Sequence, residues 1–508
     1  MPLLSQLKKD TYFDSVTLML ATNELKKIRG VHQAVIGMGT DYNLESLKRL
    51  GLLSPELADA TPSDLILAVD AATEEAAVMT LREAERLLSV KKGAASGTAD
   101  YAPATQAGAA KALPGANIVL ISVPGDYAAS EARRALDSGR HVMLFSDNVS
   151  IDDELELKTR AVEKNLLMMG PDCGTAILNG VPLAFANAVR KGDIGVVAAS
   201  GTGLQEVTSL IHRMGCGVSQ AIGVGGRDLS EKIGGIMTLQ AVRALEDDRQ
   251  TKVIVLLSKP PAEKTFHALL GVLKDVKKPV VIYFIGADPV PIERLGFAAA
   301  QNLEDAARTA CRLSTGRQPS PLLSDEEIAE KASKVRLTAP SLRALYSGGT
   351  LCDEAQRILL PRLKTIHSNT PVAGCEKLPN VYQSRGHTIL DLGDDEFTRG
   401  RAHPMIDPSF RQEKILSEYA DPETGMLVVD VVLGYGSHPD MAGAVVRSIE
   451  EARERSPRPV VLAATLCGTE DDPQDYEKQR RTLEDAGVFV FPSNVSMVKF
   501  IVSVMSHG

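Results

Sequence analysis

Three short runs in this sequence set glycine beside hydroxyl side chains directly after an apolar stretch. They are Ser200-Gly201-Thr202-Gly203, Leu433-Gly434-Tyr435-Gly436-Ser437-His438 and Ser347-Gly348-Gly349-Thr350. Each stands where a strand hands over to a helix. A helix start presents unpaired N–H groups and the positive end of its dipole, which suits a phosphate or a carboxylate. Glycine lets the backbone come close to such an anion, and Ser or Thr adds a hydroxyl that can also cap the helix. On the first two runs a capped tight turn and an anion cradle are equally open readings, and on the third a plain turn is preferred. None carries the Lys-Ser/Thr of a P-loop, and none spells the dinucleotide pattern G-x-G-x-x-G.

Other residues with chemical capacity lie at neighbouring strand ends. Gly225-Gly226-Arg227-Asp228 closes an apolar run, and Arg227 has the planar fork that clamps an oxyanion through two hydrogen bonds. The alternative is a loop with a solvated Arg–Asp pair. Asp172, in Met169-Gly170-Pro171-Asp172-Cys173-Gly174, sits in a turn or on a ligand-facing edge. Arg401, His403 and Asp407 fall within seven residues of each other, an unusual density for a connector, although a lone His is more often structural. The six Cys (173, 216, 311, 352, 375 and 467) form no CxxC pair, so no zinc site is expected.

The elements that must position these residues follow from periodicity. Ser15–Leu20, Ala34–Met38 and Leu65–Asp70 read as strands and Ala21–Arg29 and Thr73–Val90 as helices, giving a small α+β domain over 1–92 with an ACT-like order. Residues 93–115, rich in Gly, Ala, Ser and Thr, read as a flexible linker. From 116 onwards apolar strands alternate with helices, the signature of parallel, doubly wound sheets. The expected division is 116–192 (partial Rossmann-like), 193–318 (flavodoxin-type) and 335–508 (flavodoxin-type).

Length and composition bound the class. A chain of 508 residues with 44% apolar and 24% charged residues is an ordinary multi-domain globular protein. The formal charge of −9, without a basic block, argues against nucleic acid as partner. No stretch reaches the ~20 apolar residues of a membrane helix. The N-terminal MPLLSQLKKD lacks an apolar run of signal-peptide length, so a cytoplasmic location is expected.

The order of motifs carries a resemblance. MGPDCG, VVAASGTGLQEV, QAIGVGGRDLS and LEDDRQTKVIVLLS resemble the α-subunit of succinyl-CoA synthetase, and VVLGYGSHPDMAG resembles the ligase domain of its β-subunit. Fused behind an extra N-terminal domain, this arrangement is similar to the FdrA family. The resemblance spans about residues 117–508. It implies two helix starts facing one anion site, formed by Ser200, Gly201, Thr202 and Gly203 on one side and Gly434, Gly436 and Ser437 on the other. Two departures matter. Phe297, in Arg294-Leu295-Gly296-Phe297-Ala298-Ala299, stands where the resemblance places a phosphorylated histidine, and Phe cannot accept a phosphoryl group. The glycine-rich first turn of a CoA-binding domain also has no counterpart, so CoA is not the expected cofactor.

What the resemblance implies is a carbamoyltransferase subunit that exchanges a carbamoyl group between oxalurate or oxamate and phosphate or carbamoyl phosphate in purine (allantoin) breakdown. It would work with other protein subunits and as an oligomer. Arg227, Arg401 or His403 would hold the carboxylate or polarise the carbonyl, with Gly225, Gly226, Asp172 and Asp407 lining the substrate loops. The rivals are an acyl-CoA synthetase and a non-catalytic, anion-sensing scaffold.

Overall fold

The structure is a computed structural model and describes residues 2–13, 15–89, 103, 105–259, 261–398 and 401–506. It divides into two compact units, residues 1–102 with 393–407, and residues 103–392 with 408–508.

In the first unit the chain runs β1 (Leu3–Lys8), α1 (Ser15–Leu25), β2 (Val31–Met38), α2 (Asp41–Arg49), β3 (Leu65–Ala71) and α3 (Glu74–Ser89). The sheet is antiparallel in the order β1-β3-β2. Central β3 is buried on both faces. Leu65, Leu67 and Val69 pack with Leu18, Ala21 and Leu25 of α1 and Ala77 and Ala84 of α3, while Ile66 and Ala68 pack with Leu47, Leu52 and Leu57. The strand expected over Ser15–Leu20 is therefore a helix. Its buried residues Leu18, Ala21 and Leu25 follow the helical spacing i, i+3, i+7. The pairing position beside β3 belongs instead to Leu3–Lys8.

The second unit opens with α4 (Gln106–Ala112), capped by Thr105, whose side chain accepts from Gly108 N–H. This helix lies inside the stretch expected to be a linker; residues 93–102 and 104 of that stretch lie outside the described residues. A parallel sheet follows, with β4 (Ile118–Ile121), α5 (Gly125–Asp137), β5 (His141–Leu144), α6 (Ile151–Glu163) and β6 (Met168–Met169).

A seven-stranded sheet comes next. The hairpin β7 (Thr175–Leu178) and β8 (Val181–Ala184) leads to β9 (Lys191–Ala199), α7 (Gly201–Arg213), β10 (Val218–Gly223), α8 (Ile236–Asp247), β11 (Val253–Ser258), α9 (Glu263–Leu273), β12 (Val280–Phe284), α10 (Val290–Glu293), β13 (Ala298–Ala299) and α11 (Leu303–Thr315). Its order is β13-β12-β11-β9-β10-β7-β8, parallel except for the antiparallel hairpin at one edge. The hairpin precedes residue 193 in the chain yet hydrogen-bonds to this sheet.

After α12 (Asp325–Ser333), which carries a Ser324/Glu327 capping box, a third sheet is built from β14 (Ser341–Tyr346), α13 (Gly349–Leu363), β15 (His367–Ser368), β16 (Glu376–Lys377) and β17 (Thr388–Asp391). The short α14 (Asp395–Thr398) belongs to the first unit. The sheet is completed by α15 (Ser409–Ala420), β18 (Thr424–Val432), α16 (Met441–Arg455), β19 (Val461–Cys467), α17 (Tyr476–Asp485), β20 (Phe489–Phe491) and α18 (Asn494–Met505). Its order is β16-β15-β17-β14-β18-β19-β20, parallel throughout. Strands buried on both faces explain the near-continuous apolar runs read from the sequence; all nine residues of β18 are buried. In parallel sheets the loops beyond the strand C-termini are where ligands bind.

Candidate functional site

Central β9 and β14 are each followed at once by a helix start. Ser200 is extended (φ −169°) and caps α7, its hydroxyl accepting from Gly203 N–H at 3.0 Å. A Cβ on Gly203 would run into that hydroxyl and come within 3.0 Å of Thr350 Cγ2, so only glycine fits there. After β14, Gly348 caps α13 without any side-chain bond. The Ser347-Gly348 backbone is held from β18. Asp430 Oδ1 accepts from Ser347 N–H (2.7 Å) and its hydroxyl (2.8 Å), and Oδ2 accepts from Gly348 N–H (2.8 Å). Arg411 Nη1 donates to the same Asp430 carboxylate at 2.9 Å.

The two helix starts meet. Ser200 Oγ and Thr350 Oγ1 share a hydrogen bond of 2.6 Å, and Thr350 N–H points to Thr202 Oγ1 at 3.4 Å. All three hydroxyl residues are buried, whereas Gly201 is exposed and Gly349 half-exposed. A Cβ on Gly348 would sit 2.8 Å from the Thr202 side chain. The helix start that meets the α7 start directly is thus that of α13.

The Gly434–Ser437 run has a packing role. Gly434 has φ +125°, and a Cβ there would collide with the carbonyls of Phe185 and Ala186. Tyr435 N–H donates to Ala186 O (3.0 Å), and Gly434 N–H to Gln474 Oε1 (3.2 Å). Gln205 of α7 donates to Leu433 O at 3.2 Å. The backbone donors of Gly434 and Tyr435 are therefore spent on protein acceptors. Gly436 packs against Phe185, and Ser437 is buried with an Oγ that meets no partner.

One side chain at the helix junction escaped sequence reading. Lys259 is the first residue beyond β11, and the register Ser258↔Ala199 sets it beside Ser200. Its Nζ lies 3.1 Å from Asp353 Oδ2, on the second turn of α13. Partial burial works against the ammonium, but the facing Asp353 and Asp391 carboxylates outweigh it and hold its pKa above the ordinary lysine value. The available signal was a charged residue directly after VIVLLS, in the same position relative to its strand as Ser200 is to β9.

Deeper in the interface, Asn494 at the start of α18 joins both helices. Its N–H donates to Glu206 Oε1 of α7 (2.9 Å), its side-chain NH2 to Glu354 Oε2 of α13 (2.8 Å), and Tyr346 OH donates to its Oδ1 (3.0 Å). Burial raises the Glu206 carboxyl to about 7, against the opposing pull of the Asn494 N–H, and raises Glu354 as well.

Asp172, Gly225 and Gly226 come together. A Cβ on Gly225 (φ +86°) would collide with Pro171 O, and one on Gly226 would lie 3.8 Å from Asp172 Oδ2. Arg227 turns to α6, with Nε donating to Glu154 Oε2 (2.9 Å) and Nη2 to Val149 O (2.8 Å). Its fork is divided between two protein acceptors, while Lys158 bridges Glu154 and Asp228 beneath it. Arg401, His403 and Asp407 belong to the first unit, where His403 caps a local turn, its carbonyl accepting from Ile406 and Asp407 N–H. Phe297 packs against the core between α10 and β13. No helix is long and apolar enough to cross a membrane among the described residues.

Comparison with known proteins assigns these parts. A family model described as CoA-ligase matches residues 345–501, and one described as CoA binding domain matches 189–286. A model described as AllF, heavy metal-associated domain, matches 1–103. Residues 1–103 contain no cysteine and a single histidine, His32, so they do not fit a thiolate metal site. The "Succinate--CoA ligase [ADP-forming] subunit alpha 2" of Archaeoglobus fulgidus is 29% identical over 36% of this chain and 64% of its own length. A solved structure of ATP citrate lyase from Methanothrix soehngenii aligns over 46% of each chain at 17% identity and a TM-score of 0.37. The "Uncharacterized protein YahF" of Escherichia coli (strain K12) is 43% identical over 96% of both chains, a likeness that runs through the N-terminal unit and both ligase-type sheets alike. With an AllF-type domain ahead of CoA-binding and CoA-ligase domains in one chain, and a full-length relative at that identity, the protein belongs to the FdrA family of acyl-CoA-synthetase-like proteins.

Proposed function

We propose that this chain is a carbamoyltransferase subunit that acts without a covalent phospho-enzyme. The observation that carries the proposal is the opposition of the α7 and α13 starts, with Ser200 and Thr350 hydroxyls 2.6 Å apart. Two dipole ends and their hydroxyls converge where an oxyanion would be held, and charge stabilisation of that kind needs no nucleophile from the protein. Phe297 supports the same view, because its ring offers no atom for phosphoryl transfer.

In the reaction a phosphate oxygen attacks the carbamoyl carbon of oxalurate. The bond from that carbon to the oxamate nitrogen breaks, the nitrogen takes the proton that phosphate gives up, and carbamoyl phosphate and oxamate leave. The helix ends would hold the phosphate and the developing oxyanion. Partner subunits of the same complex complete the active assembly. The test is carbamoyl phosphate formation from oxalurate and phosphate by the purified chain, alone and reconstituted with those subunits. A reconstituted complex that forms none sinks the proposal.

A second reading, an acyl-CoA synthetase, is favoured by the CoA-ligase and CoA-binding matches. It requires CoA to bind and a nucleophile other than residue 297. Calorimetric titration with CoA separates the two readings, since only the second predicts binding.

A further inference from the structure

We propose that Lys259 is the charge partner of the small oxyanion that this chain binds, a carboxylate or a phosphate seated at the first turn of α13; the proposal deepens the carbamoyl-transfer reading and rests on it. Lys259 leaves β11 in register with Ser200, so one parallel sheet delivers the α7 cap and this ammonium to the same edge. Its Nζ stands 3.5 Å from the point that a Cβ on Gly349 would occupy, and Asp391 Oδ2 stands 2.5 Å from that point. The ammonium therefore lies beside the first residue of α13, where Asp391 Oδ2 leaves no room for a Cβ. The Lys259 side chain is 41% exposed while its partner Asp353 is 7% exposed, so a partly open lysine is anchored at its tip by a buried carboxylate.

A second group with unspent donors lies behind the same helix start. Arg411 is 1% exposed and spends Nη1 on Asp430, whose carboxylate holds Ser347 and Gly348. Its Nε and Nη2, the side-on pair of the guanidinium, meet no protein acceptor. Buried donors left without acceptors are costly, and this pair has the spacing that receives two oxygens of one carboxylate or phosphate. The N-cap, Gly348, offers α13 no side-chain acceptor, and the carboxylates at this turn, Asp353 and Asp430, are each already engaged by a cation, Lys259 and Arg411. Lys259 supplies the charge on the open side, and Arg411 stands behind Asp430 on the closed side.

The test uses the full chain with two probes, oxamate for the carboxylate and inorganic phosphate for the phosphate. Titration calorimetry compares wild type with Lys259→Met, which keeps the stem, and Lys259→Arg, which keeps the charge. The expected result is a Kd raised about tenfold or more in Lys259→Met for at least one probe, and brought back towards wild type in Lys259→Arg. The probe that loses affinity identifies the oxyanion. A folded Lys259→Met that binds both probes like wild type overturns the proposal, as does a wild type that binds neither. Should Lys259→Met fail to fold, reductive methylation of wild type with peptide mapping replaces it: either probe should protect Lys259, and equal labelling with and without probe overturns the proposal. The carbamoyl-transfer reading fails separately, if a chain that binds these anions through Lys259 forms no carbamoyl phosphate in the reconstituted complex.

Discussion

Ser200 Oγ and Thr350 Oγ1 lie 2.6 Å apart although 150 residues separate them in the chain, and their bond ties the start of α7 to the start of α13. Removing either hydroxyl leaves the other buried without its partner. Ser200→Ala also removes the α7 cap, so it should cost about 1–2 kcal/mol, and Thr350→Val about 1 kcal/mol. The double variant should cost less than the sum by about 0.5–1.5 kcal/mol. Urea unfolding of the four proteins measures this coupling, and strict additivity would show that the two helix starts are not joined in solution.

The glycines at the junction separate close packing from simple turn geometry. Gly349→Ala places a Cβ 2.5 Å from Asp391 Oδ2 and should cost about 1–3 kcal/mol and impair activity. Gly201→Ala meets nothing within 4 Å and should leave stability unchanged or raise it by up to about 1 kcal/mol. Melting temperatures of the two variants decide it; equal losses would mean that the space around Gly349 is not as tight as drawn.

Glu206 makes stability depend on pH near neutrality. Its folded carboxyl titrates at about 7, above the ordinary value of 4.5 that it recovers on unfolding. The native state therefore holds more protons between those values, and stability falls as pH rises through that window. The groups facing Glu206 are Asn494, Glu354, Glu304 and Cys467, and the other carboxyl raised among them, Glu354, adds to the same trend. The decline from pH 5 to pH 8 should be about 1–3 kcal/mol, and Glu206→Gln should flatten much of it. A Glu206→Gln profile parallel to wild type in urea midpoints would remove this carboxyl from the account.

Phe297 predicts a chemical silence. Wild-type chain incubated with ATP or an acyl phosphate should carry no acid-labile phosphate, because the ring packed between α10 and β13 has no acceptor atom. Phosphate-affinity electrophoresis before and after acid treatment checks this. Labelled protein would require a different nucleophile and would favour the ligase reading.

Ser437 tests whether the Gly434 loop holds an anion. Its buried hydroxyl has no partner, so Ser437→Ala should be neutral or slightly stabilising, by up to about 1 kcal/mol, with anion affinity unchanged. Calorimetry showing weakened phosphate binding would return this loop to the site.

Much of the fold was legible in the residues themselves. The runs IGVVAAS, KVIVLLS and MLVVDVV read as buried parallel strands because short runs rich in Val and Ile suit a strand covered on both faces. The Ser200 helix start was readable from Ser-Gly-Thr-Gly after one of them. Ser15–Leu20 was misread because the run SVTLML suits either period when short, and the helical spacing of Leu18, Ala21 and Leu25 emerges only over the longer window. Arg227 and Lys259 were each one charged residue at a strand end, with nothing local to tell a clamp from a counter-ion.

By itself, then, the sequence determined where strands end, where helices begin, which starts carry hydroxyls, and that residue 297 cannot be phosphorylated. Those are properties of short windows, set by periodicity, capping and side-chain chemistry. The tertiary structure alone decided that the α13 start meets the α7 start, that Arg227 is spent on Glu154 and Val149, and that Lys259 stands beside Gly349. Helix starts so far apart in the chain meet only through strand order and the packing of two sheets. That choice arises from the summed burial of many side chains, and no single motif encodes it.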